Sequence, residues 1–116
     1  QYLQAQRLRR VYRREMESLA REWDVLLMPT TPTAAPRDLS TTGDPIFQSP
    51  WTSCGLPTIT LPSGISPSTG LPLGIQLAAE SFAEVRLLAV ARWCERVLDI
   101  NLTPPQANKD NPSDSL

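Results

Sequence analysis

The sequence has 116 residues, a formal net charge of −1 and a pI near 5.3, enough for one small domain or part of a larger one and without the excess charge that marks a nucleic-acid or anionic-lipid binder. It holds no histidine, one lysine (Lys109) and two cysteines (Cys54 and Cys94), which excludes Ser-His-Asp and Cys-His nucleophile pairs, imidazole metal ligands and a four-cysteine zinc site. Apolar runs are all too short to span a bilayer.

Residues 1–23 read as an amphipathic helix, because Leu8, Tyr12, Met16, Leu19 and Trp23 recur at spacings of four and three, with Val11 widening the stripe. Arg7, Arg9, Arg10, Arg13 and Arg14 fall mostly off that stripe. A solvated helix face is the favoured reading of them, and a phosphate or acidic-partner site the minor one. Glu17 and Arg21 form an i,i+4 pair. Asp24–Met28 is an apolar run closed by Pro29, which predicts a short buried strand. Pro29, Pro32 and Pro36, with Thr30, Thr31 and Thr33 between them, then impose an extended loop. The Pro29–Pro32 spacing fits an SH3-type ligand only weakly, since no basic residue flanks it before Arg37.

Residues 37–55 form a long irregular connection in which Phe47 and Trp51, four apart, suit one short helical turn. Two apolar runs follow, Thr58–Gly64 and Leu73–Ala78. The turn formers of 66–70 separate them, and a β-hairpin is predicted. Ser81-Phe-Ala-Glu84 has the form of a capping box in which Ser81 bonds first-turn amides and Glu84 reaches back. The helix it predicts runs to about Leu98 or Ile100, with Leu87, Val90, Ala91, Cys94, Val97 and Leu98 on its apolar face. Cys94 is therefore expected to be a packed thiol. Residues 103–116 have too few apolar side chains to repay ordering and are expected to be a disordered tail.

Chemistry is hard to place among these elements. Without histidine, a Ser, Thr or Cys nucleophile needs lysine, an N-terminal amine or a depressed pKa, and the one lysine lies in the tail. Cys54 is the best nucleophile by elimination but has no identifiable base. Ser63-Gly64 is not followed by a helix, so it is not a nucleophile elbow. Asp38 and Asp44 share one loop without forming a recognisable acid–base pair. The glycines are too scattered for a phosphate loop. No cofactor and no metal are expected.

The order of particular residues says more. Trp23-Asp-Val-Leu-Leu-Met-Pro-Thr-Thr-Pro32 comes first, then Ala35-Pro36 and Gly55-Leu-Pro-Thr-Ile-Thr-Leu-Pro-Ser-Gly64. Gly70-Leu-Pro-Leu-Gly-Ile-Gln-Leu77 and Ser81-Phe-Ala-Glu84 with its helix complete the run. This succession resembles the C-terminal part of the amidase signature family over about residues 8–100. The resemblance implies an α/β fold, residues 1–102 being the C-terminal segment of an α/β/α amidase domain with a mixed β-sheet flanked by helices. It also implies hydrolysis of carboxamide C–N bonds, in an amidase or in the catalytic chain of the related glutamine-dependent amidotransferase. Members use a Ser–Ser–Lys triad upstream of this region, with Gly-rich backbone amides holding the oxyanion.

No catalytic residue carries over, because no Gly-Gly-Ser-Ser stretch is present and Lys109 follows the motifs. The chain alone is expected to be inactive. Phe47, Trp51 and Thr52 are the candidates for facing the acyl pocket, with core packing of Phe47 and Trp51 the favoured alternative. Many members place an asparagine near Thr52. Its replacement weakens assignment to the amidotransferase branch. For Gln76, a buried amide satisfied by backbone is favoured over substrate contact.

The expected partners are a small-molecule amide in the full-length enzyme and the remainder of the amidase domain, with homo-oligomer formation as a further expectation. Neither nucleic acid nor membrane is expected to be bound. A non-catalytic binding protein that keeps the amidase C-terminal fold is the alternative. A binder of anionic partners through Arg7–Arg14 is the third. The first residue, Gln1, and the lack of a leader motif suggest a chain processed or cut from something longer. With the cysteine usage they give a cytoplasmic expectation.

Overall fold

The computed structural model describes residues 1–102, and the tail expected over 103–116 lies outside the described residues. The elements are α1 (Tyr2–Glu22), β1 (Leu26–Pro29), α2 (Ser49–Cys54), β2 (Thr58–Ile65), β3 (Pro72–Ala78) and α3 (Glu84–Leu98). The strands pair antiparallel in the order β1-β3-β2. Met28 lies opposite Gln76, Ile59 opposite Leu77 and Leu61 opposite Ile75.

Alternation along the strands divides the side chains between two cores. On one face Leu26, Met28 and Ala78 pack with Tyr12, Met16 and Ala20 of α1 and with Trp51, Cys54 and Leu56. On the other, Ile59, Leu61, Ile75 and Leu77 pack against Leu87, Val90, Ala91 and Cys94 of α3. The result is three layers, α1 and α2 over one side of the sheet and α3 over the other, which agrees with the α/β/α expectation.

α1 buries only part of the expected stripe. Tyr12, Met16 and Ala20, each four apart, meet the core, whereas Leu8, Leu19 and Trp23 remain exposed. The small Ala20 is wholly buried in the cluster of Trp51, Cys54, Leu56 and Ala78, so the inner face turns toward an alanine that a count of large apolar residues passes over. α2 ends at Gly55 in the left-handed region (φ 67°), with its amide bonded to the Trp51 carbonyl. That conformation suits a glycine at the helix end.

The capping box does not form. Phe82 adopts φ 64° with its side chain 94% exposed, and this left-handed residue turns the chain away before the helix begins. Ala83 takes the N-cap position without a side-chain cap, and Ser81 Oγ is buried with no partner. Glu84 still falls in the first turn, where its charge suits the helix dipole. Just before this turn, Glu80 accepts from Arg21 Nε of α1 (3.2 Å) and Arg86 Nη2 of α3 (2.8 Å), linking the two helices on opposite faces of the sheet.

The two outer strands present different edges. The Thr30 amide donates to the Gly74 carbonyl, so alternate residues Leu26, Met28 and Thr30 point their backbone groups at β3, and Leu27 and Pro29 point theirs outward. Proline has no N–H, which leaves Leu27 as the one complete outward donor–acceptor residue of β1. On the other side, Ala79 N–H donates to the Pro57 carbonyl, which fixes Ile59 and Leu61 as the inward residues of β2. Thr58 and Thr60 therefore hold both backbone groups outward, and Pro62 ends that open edge.

Candidate functional site

β3 sits at the centre of the sheet, and the residue at its middle organises the long loop. Gln76 is 4% exposed, and its Nε2 donates to the Phe47 carbonyl at 3.1 Å. This is the buried amide satisfied by backbone that the sequence favours. Gln48 Nε2 reaches the Thr30 carbonyl at 3.4 Å, so consecutive residues of the loop are held to β3 and to the end of β1. Gly74, two residues before Gln76, lies where β1, β2 and β3 converge. A Cβ there would stand 3.0 Å from Thr30 Oγ1 and 3.1 Å from Thr60 Cγ2. Thr30 Oγ1 is itself buried and has no hydrogen-bond partner.

Beyond Thr30 the proline loop and the following connection enclose a recess of about 250 Å³, lined by residues 31–36, Thr42, Gly43, Asp44 and Pro72. Its walls are held by short local bonds. Thr31 Oγ1 donates to the Thr33 carbonyl (2.7 Å), the Gly43 amide to Thr41 Oγ1 (3.1 Å) and the Ile46 amide to Asp44 Oδ1 (3.0 Å). Such a surface of hydroxyls, proline rings and one carboxylate can hold a small polar group, but it offers no nucleophile–base pair.

The expected pocket residues occupy three different settings. Phe47 is half-buried and contributes its carbonyl to Gln76. Trp51 is 4% exposed, packs with Ala20, Cys54 and Ala78, and points its Nε1 at Met28 Sδ at 3.0 Å. Thr52 is exposed on α2, its amide bonded to the Gln48 carbonyl. None of the three lines the recess of residues 31–44. Sequence reasoning does not single out Thr42 or Asp44 as lining a recess. The Asp-Pro step at 44–45 is a local turn signal that points to that part of the wall.

Cys54, the nucleophile by elimination, is buried beside Trp51 and is not disulfide-bonded. Burial pushes its thiol above the ordinary range, while the Arg13 and Arg9 guanidiniums pull the other way, and Glu17 adds to the rise. A protonated thiol in a closed core is no nucleophile. Burial, with Cys54 nearby, likewise raises the Tyr12 phenol. Asp38 is held below its usual range by the Ser40 hydroxyl (2.7 Å) and amide (2.9 Å), which is turn chemistry rather than acid–base machinery. Among the described residues no cluster of three or more His, Cys, Asp or Glu can hold a metal ion, and no helix is long and apolar enough to cross a membrane.

The family described as Amidase matches residues 1–88 of the chain. The A subunit of glutamyl-tRNA(Gln) amidotransferase from Natranaerobius thermophilus is 36% identical over 117 residues, covering 95% of this chain and 23% of that protein. Its counterpart from Neisseria meningitidis is 40% identical, over 78% of this chain and 20% of its own length. Among solved structures, the counterpart from Thermotoga maritima superposes with a TM-score of 0.70 at 32% identity, over 82% of this chain and 22% of that one. An inhibitor-bound structure described as a vestigial protein complex revealing the origins of an s-triazine catabolic enzyme gives a TM-score of 0.72 at 31% identity, over 83% of this chain and 24% of that one. The chain thus spans under a quarter of the length of these relatives. A family match over most of the chain, joined to superposition on two solved structures at TM-scores of 0.70 and 0.72, leads to one conclusion: this chain belongs to the amidase signature family.

Proposed function

We propose that the chain serves as the C-terminal segment of an amidase-signature hydrolase that cleaves carboxamide C–N bonds by a Ser–Ser–Lys mechanism, with the triad carried by the rest of that protein. The observation behind this reading is the pairing of a family match over residues 1–88 with a described fold that offers no activated nucleophile. In such an enzyme the lysine takes the proton of the nucleophilic serine through the bridging serine, and backbone amides stabilise the oxyanion. This segment's part is to shape the site. Gln76 fixes the loop carrying Phe47, and Phe47, Trp51 and Thr52 are our candidates for the acyl-pocket wall. The substrate class is a small-molecule amide, and cytoplasmic location is part of the same reading.

The test is hydrolysis of a panel of simple carboxamides by purified 1–116, alongside the intact mass of the natural product. We expect no turnover by the 116-residue chain and a natural product several times longer. Amide turnover by the purified chain, abolished by a serine-directed inhibitor, would refute the assignment of the triad to another part of the protein.

The open edge of β2 favours a second reading, a chain that keeps this fold in order to bind a partner protein. A natural product of the length of this chain, inactive on amides, would select that reading over the first.

A further inference from the structure

We draw no further inference here: the strongest candidate, the exposed stripe of α1 on which Leu3 and Val11 lie among Arg7, Arg10 and Arg14, carries nothing because the chain spans under a quarter of its relatives' length and nothing in the structure shows what covers that face.

Discussion

Replacing Gln76 by glutamate changes one atom of the side chain and inverts its role against the Phe47 carbonyl. The amide Nε2 donates there at 3.1 Å from a side chain that is 4% exposed. An ionised carboxylate in its place has no proton to give, faces another oxygen and has been taken out of water, three effects of the same sign. The fold escapes by keeping the carboxyl protonated. Holding a proton at pH 7 on a group whose unfolded value is about 4.3 costs about 3.7 kcal/mol, and that sets the ceiling on this part of the penalty. A protonated carboxyl again has a donor for Phe47, so little further loss is added. The substituted group is therefore raised in the folded state. Its stabilising contribution is complete below pH ~4.3 and disappears as pH rises through the folded value. We expect Gln76→Glu to cost about 2–4 kcal/mol at pH 7 and under about 1 kcal/mol near pH 4. Urea unfolding at both pH values, followed by tryptophan fluorescence, measures the difference against the parent chain. Gln76→Leu removes the donor without adding a titrating group and should cost about 1–3 kcal/mol with no such pH dependence. A penalty for Gln76→Glu that is equal at the two pH values would refute the argument.

Gly74→Ala puts a methyl group 3.0 Å from Thr30 Oγ1, 3.1 Å from Thr60 Cγ2 and 3.3 Å from the Leu61 carbonyl, and should destabilise by about 1–3 kcal/mol in the same assay. Adding Thr60→Ser, which removes the crowded methyl, should recover part of that loss; no recovery would show that the backbone contact dominates. Cys54, closed in the core with its thiol raised by burial, should react with a disulfide reagent far more slowly than the partly exposed Cys94. Because that shift is upward, its contribution to stability is complete below the unfolded thiol value of about 8.5 and is lost as pH climbs through the folded one. Cys54→Ala should remove that part of the alkaline destabilisation, seen as a flatter stability profile above pH 8.

Much of the architecture is legible in local sequence. The Gly-Leu-Pro starts and the turn formers between them define the hairpin, and a short apolar run closed by Pro29 defines β1. The Phe47–Trp51 spacing signals a short helix, but the helix starts at Ser49 and leaves Phe47 before it. The inner face of α1 is legible only in part, because Tyr12 and Met16 announce it and Ala20 does not. Burial beside Trp51 and Cys54 rewards a small side chain, and hydrophobic periodicity gives that choice little weight. The Ser81–Glu84 pattern misleads for another reason. Capping needs Ser81 to stand directly before the helix, and the left-handed Phe82 moves the helix start past it. Gln76 is readable as a buried amide, but its partner in the loop is not, since the contact joins residues 29 positions apart. The recess between the proline loop and residues 42–44 arises from several two-residue side-chain turns acting together, and no single motif announces it.

The last of the three strands in the chain is the middle one in space, and that order governs how the molecule can assemble. β3 finds β2 across a short turn closed by Ser66 and Leu71, whereas Leu27 must meet Leu77 across fifty intervening steps of chain. Loop closure over the longer span carries the larger entropic cost, so the hairpin is the natural folding nucleus and β1 is the late arrival. The Gln76–Phe47 bond and the Thr30 side of the close fit at Gly74 both belong to that late docking. Mutations at Leu61 or Leu77 on the hairpin should slow folding, while those at Phe47 or Met28 should mainly hasten unfolding.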